Sequence, residues 1–148
     1  MQEITEACSF IKSKGVNDPQ IGIILGTGLG SAFVNAIENS MEINYHDIPN
    51  FPTATVEFHK GKLIYGTIQG KRVLVMQGRF HYYEGYSMQQ ITLPVRVMKM
   101  LGIKNLLISN AAGNLNPHWN KGELMLLDDH INLQPENPLR GKNLDELG

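Results

Sequence analysis

Within nine positions, Gly78-Arg79-Phe80-His81-Tyr82-Tyr83-Glu84-Gly85-Tyr86 gathers an arginine, a histidine, a glutamate and three tyrosines. A guanidinium is a planar fork matched to phosphate oxygens, and a histidine two residues further along an extended backbone projects from the same side. Arg79 and His81 can therefore grip one anion together, with Tyr83 next on that face. The alternative is an exposed loop in which Arg79 pairs with Glu84 and the tyrosines pack at an interface. Charged and aromatic residues on the loops of a rigid scaffold are often functional, which favours the site.

Two further segments can meet that anion. Gly26-Thr27-Gly28-Leu29-Gly30 has Ser31 where the dinucleotide fingerprint needs glycine, and it lacks the Gly-Lys pair of a P-loop. Its backbone N–H groups and the Thr27 hydroxyl can cradle an oxyanion at a helix N-terminus; a plain strand-to-helix turn fits equally well. In Ser109-Asn110-Ala111-Ala112-Gly113-Asn114 the small side chains leave the main chain open to a flat ligand, or to an anion on the Ala111 N–H. A close-packed strand end explains that segment as readily. His59, in the loop Phe58-His59-Lys60-Gly61-Lys62, can add a cationic or hydrogen-bonding group. Asp128-Asp129-His130 has no second ligand pair at a metal-site spacing, so no metal is assigned.

These groups need elements to position them. Ile4, Ala7, Cys8 and Ile11 recur at helical spacing, which predicts an amphipathic helix over 3–14 closed by Gly15. The continuous apolar run Ile21–Leu25 predicts a buried strand. After the glycine turn, Leu29, Ala32, Phe33, Ala36 and Ile37 share one helical face. Met41–Ile48 predicts a weaker strand ended by Pro49 and Pro52. Lys62–Gln69 and Lys71–Met76 predict a hairpin turning at Gly70. Ser87 and Gln90 match a capping box that opens a helix to about Leu101, with Met88, Ile91, Val95, Met98 and Leu101 inward and a kink at Pro94. Leu106–Ile108 and Glu123–Asp128 are read as two more strands. Strands alternating with helices indicate an α/β fold whose sheet is mostly parallel and made mixed by the hairpin.

The 148 residues, 42% hydrophobic and 18% charged, describe an ordinary domain able to bury a core without disulfides. Cys8, the single cysteine, points to a reducing setting. Thirteen Lys and Arg against 14 Asp and Glu give a charge of −1 and no basic stripe for nucleic acid. No apolar run reaches the ~20 residues of a membrane helix, and the start MQEITEACSF lacks the basic residues of a signal peptide. A cytoplasmic protein with no nucleic-acid or membrane partner is expected.

In this order, the segments resemble the N-terminal half of the trimeric purine nucleoside phosphorylases, the family preferring 6-oxopurine nucleosides. The resemblance rests on Ile24–Gly30, Gln77–Tyr86, Ser109–Pro117, and Asp129–Leu133 followed by Asn137-Pro138-Leu139-Arg140-Gly141. The form G-R-x-H-x-Y-E-G separates this group from the related methylthioadenosine phosphorylases, which are the alternative. The resemblance implies a three-layer α/β fold with a mixed central sheet, in which residues 1–148 form the N-terminal part of one domain. It implies phosphate held by Thr27, Arg79, His81 and the Ala111 N–H with His59 beside it, ribose met by Tyr83, and purine lined by Ala112 and Gly113. Glu84 supports the site from behind.

The implied reaction is reversible phosphorolysis of a purine nucleoside to free base and ribose 1-phosphate, in a homotrimer of purine salvage. No metal or organic cofactor is implied; phosphate is a co-substrate. Family members continue past the equivalent of Gly148, into a half that brings the purine-binding acid and amide. A second expectation is therefore a truncated chain that binds phosphate without catalysis, or one completed by another chain, with sheet and helix faces left uncovered.

Overall fold

The computed structural model describes residues 1–26, 28, 30–52 and 61–148, the side chain of Ser31 excepted. Its elements are α1 (Gln2–Ser13), β1 (Ile21–Ile24), α2 (Gly30–Val34), β2 (Glu38–Asn44), β3 (Lys62–Ile68), β4 (Lys71–Gln77), α3 (Met88–Met100) and β5 (Asn105–Ile108). The five strands form one sheet in the order β2-β3-β4-β1-β5. β1 pairs in parallel with β4 and β5, whereas β3 is antiparallel to both β2 and β4. Four strands thus point one way and β3 alone runs against them. The carboxyl ends of β1, β2, β4 and β5 and the start of β3 share one edge, the edge where open α/β sheets bind ligands.

The central strands are buried on both faces, which their near-continuous apolar sequences anticipate. On one face Ile24, Leu63, Leu74 and Met76 pack against Ile4, Ala7, Cys8 and Ile11 of α1 and against Leu93, Val97 and Met98 of α3. On the other, Ile23, Leu25, Ile64, Val73 and Val75 meet Phe33 and Val34 of α2, together with Ile37. The alternation along β4 is what divides Val73 and Val75 from Leu74 and Met76. Helices therefore cover both faces, as a three-layer arrangement requires. A Cβ on Gly22 would lie 2.9 Å from Met98 Sδ and 3.0 Å from Leu106 Cδ1, so glycine here lets α3 sit close on β1.

Local signals account for most boundaries. Ser87 Oγ accepts the Gln90 N–H at 3.2 Å while Gln90 Oε1 accepts the Ser87 N–H at 2.8 Å, closing the capping box at the start of α3. The helix continues through Pro94 to Met100. Gln69 and Gly70 join β3 to β4 with φ of 47° and 74°, the paired left-handed conformation that follows the twist of a two-residue hairpin.

Three expectations need correction. The second strand begins at Glu38 and ends at Asn44, and its expected end, Tyr45–Asp47, is instead a single 3-10 turn. α2 has only five residues, and Ala36 and Ile37 lie beyond it, their N–H groups turned back to the carbonyls of Phe33 and Val34. Glu123–Asp128 is not a strand. It has no ladder partner among the described residues, and its leucines face solvent, so it gains neither ladder hydrogen bonds nor burial from extension. β5 is the sheet's edge among the described residues, with Leu107 and Ile108 at 58% and 61% exposure. No helix among the described residues is long and apolar enough to cross a membrane.

Candidate functional site

Phe80 decides where Arg79 and His81 point. Its ring is buried against Tyr45, Phe51 and Tyr86, with centroids at 5.1, 6.3 and 6.1 Å. His81 is extended, with φ −120° and ψ 146°, so the residues on either side of the anchored Phe80 project together away from the core. Arg79 Nε accordingly donates to His81 Nε2 at 3.3 Å, and Arg79 Nη1 donates to the Ser109 carbonyl at 3.0 Å.

The histidine's tautomer follows from its partners. A guanidinium only donates, so His81 Nε2 accepts, and the ring proton sits on Nδ1. That proton faces Glu84 Oε1 at 2.6 Å. The Glu84 side chain is only 9% exposed, and Glu84 pairs with His81 and not with Arg79. The loop alternative, an Arg79–Glu84 pair, does not form. Tyr83 stacks on His81, with centroids 4.7 Å apart and rings 14° from parallel, and it is 82% exposed. It therefore presents a free ring face beside the histidine.

Opposite this arm, the turn after β1 abuts the end of β5. The Gly26 N–H donates to Ser109 Oγ at 2.9 Å, and a Cβ on Gly26 would lie 2.6 Å from the Ser109 carbonyl oxygen. Gly26 must be glycine for these backbones to approach. Its amide is also engaged, so the first N–H of the glycine turn is not available to a ligand. Thr27 and His59 lie outside the described residues. Ala111, Ala112 and Gly113 follow Ser109 as exposed main chain, and no hydrogen bond among the described residues uses the Ala111 N–H.

The structure thus brings Arg79, His81, Glu84 and Tyr83 into one cluster and ties that cluster to the strand that leads into Ala111–Gly113. A guanidinium has five N–H donors, of which two are occupied among the described residues. The remainder, beside a histidine and an exposed backbone amide, suits an oxyanion. Sequence reasoning missed two contributors. Ser109 links the glycine turn to Arg79, and Tyr45 donates its hydroxyl to the Gly78 carbonyl at 2.7 Å, just before the arginine. Ser109 had a signal, being the polar residue that ends a buried strand. Tyr45 had none, because its partner lies 33 residues away. Among the described residues no group of three metal-ligating side chains gathers.

Comparison with known proteins gives the chain's family. The chain is 53% identical to purine nucleoside phosphorylase 1 of Geobacillus stearothermophilus over 145 residues, covering 98% of this chain and 53% of that protein. It is 50% identical to purine nucleoside phosphorylase 1 of Bacillus subtilis over the same shares of each chain. Among solved structures, isoform 2 of purine nucleoside phosphorylase from Schistosoma mansoni, in complex with cytosine and ribose-1-phosphate, superposes with a TM-score of 0.73 at 47% identity. That match covers 78% of this chain and 40% of the other. The chain therefore spans about half the length of the curated relatives it matches. Residues 20–146 match the family model of the phosphorylase superfamily, and the chain belongs to that superfamily.

Proposed function

We propose that this site takes inorganic phosphate and serves the reversible phosphorolysis of purine nucleosides, residues 1–148 supplying its phosphate side. The observation that carries the reading is Arg79 braced between the Ser109 carbonyl and His81, with Glu84 holding the far nitrogen of the imidazole. Such a fork is set before any anion arrives, so binding orders few side chains. The relatives' names supply the substrate class, because the proteins at 53% and 50% identity are purine nucleoside phosphorylases.

In the reaction, the C1′–N bond breaks with its electron pair moving to the base, and a phosphate oxygen forms the new bond to C1′. The base takes up a proton, and ribose 1-phosphate is released. The sugar passes through a cationic state, so phosphate held against it both attacks and stabilises. The free N–H donors of Arg79 orient the phosphate. His81 joins them as a donor only when doubly protonated: Nε2 then gives up the Arg79 Nε–H and turns its own proton to the anion, while Glu84 keeps the Nδ1–H. Thr27, His59 and the Ala111 N–H complete the phosphate contacts, Tyr83 offers its exposed face to ribose, and Ala112 and Gly113 line the purine. No metal or organic cofactor enters this scheme. The reading extends to a cytoplasmic homotrimer of purine salvage, supported by the family resemblance and by the unpaired Cys8.

The test is incubation of the chain with inosine and phosphate, following hypoxanthine release beside phosphate binding by calorimetry. Binding lost in Arg79→Ala supports the site, and turnover lost in the same variant adds catalysis by these residues. Binding without turnover leaves residues 1–148 as the phosphate-holding part alone. A folded chain that shows neither overturns the reading.

A further inference from the structure

Ser109 touches both arms of the candidate site from the end of the edge strand. Its hydroxyl accepts the Gly26 N–H at 2.9 Å and donates to the Ile24 carbonyl at 3.4 Å. Its own N–H donates to that same carbonyl at 3.0 Å, extending the β1–β5 ladder by one bond. Its carbonyl accepts Arg79 Nη1 at 3.0 Å. A single residue thereby holds the first amide of the glycine turn with its side chain and the guanidinium with its main chain.

The tight backbone contact makes this arrangement specific. With the Gly26 Cα facing the Ser109 carbonyl too closely for any Cβ, the turn and the strand end have no slack between them. The Gly26 N–H has no other acceptor among the described residues, so losing the hydroxyl frees the turn to rotate away. The Arg79 contact would survive that loss, since it uses the carbonyl.

We propose that Ser109 is a positioning residue that sets the spacing between the glycine turn and Arg79, and so the width of the phosphate site. This rests on the phosphate reading above, and it adds a role for a residue that touches no ligand in that scheme. The hydroxyl is the part that acts, which the isosteric pair threonine and valine can separate from side-chain shape.

Ser109→Ala, Ser109→Thr and Ser109→Val are compared with the unaltered chain by phosphate calorimetry and by amide hydrogen exchange. The proposal expects Ala and Val to weaken phosphate binding about tenfold, the scale of one lost hydrogen bond, and Thr to stay within about twofold. It also expects faster exchange at Gly26 in Ala and Val, with the amides of β4 and α3 unchanged; a merely structural role would speed all of them together. If Ala does not fold, the Thr and Val pair carries the comparison. Equal phosphate affinity in Thr and Val overturns the role of Ser109 and leaves the phosphate reading standing. A folded, unaltered chain that binds no phosphate overturns both.

Discussion

Arg79 would be an unremarked surface arginine were it not for the residues that restrain it. Its direction is fixed by a buried neighbour, Phe80, and its two occupied donors by Ser109 and His81. The pairing of Arg79 with His81 was legible in the sequence, because residues i and i+2 of an extended segment share a side. That Glu84 would choose His81 was not, since it depends on the turn at Tyr82–Glu84 bringing its carboxylate onto Nδ1. Tyr45 was hidden for a similar reason, its partner being far away in the chain. Burial pushes its phenol well above the ordinary tyrosine range, so the hydroxyl stays a donor at any working pH. Tyr45→Phe should cost about 1–2 kcal/mol in urea denaturation, because the Gly78 carbonyl loses its partner beneath a filled ring. A variant as stable as the parent would mean that the carbonyl finds another donor.

Elements were most legible where a local rule is sufficient. The capping box at Ser87 and the Gln69-Gly70 turn each encode their own geometry, and the structure has both. Glu123–Asp128 failed because a short continuous apolar run states only what a strand would look like; a ladder also needs a neighbour. The five residues of α2 depend on the packing of Phe33 and Val34 against the sheet, which helical periodicity in the sequence does not specify. Packing is where α1 belongs. Ile11 is completely buried between that helix, the sheet and α3. Ile11→Ala should destabilise the chain by about 2–5 kcal/mol in a denaturant titration, with the phosphate arm unaltered in the folded fraction. A loss under about 1 kcal/mol would show that α1 contributes little to the core.

For the molecule as a whole, acid stability reports how α1 is fastened to the chain that follows β2. Asn50 Nδ2 donates to Glu6 Oε2 at 2.9 Å and Gln2 Nε2 donates to Oε1 at 2.8 Å. These bonds hold the Glu6 carboxyl below its ordinary value of 4.5, Asn50 acting most strongly. A lowered folded value means stability that is present above 4.5 and lost as pH falls through that lowered value. Asn50→Ala should therefore be less stable than the parent at pH 7, and the gap should narrow toward pH 3. A gap that is constant with pH would assign the effect instead to the neutral contact with the Glu3 carbonyl and to the left-handed backbone at Asn50, φ 66°, which alanine adopts at a cost. Four strands end at one sheet edge, and the proposed function requires an anion to be held there by Arg79. Titration of inorganic phosphate into isotopically labelled chain, read by amide chemical shifts, tests this most directly. Saturable shifts are expected at Gly78–Glu84 and Ser109–Gly113, abolished in Arg79→Ala. Shifts that are absent from those segments, or that persist in the variant, would contradict it.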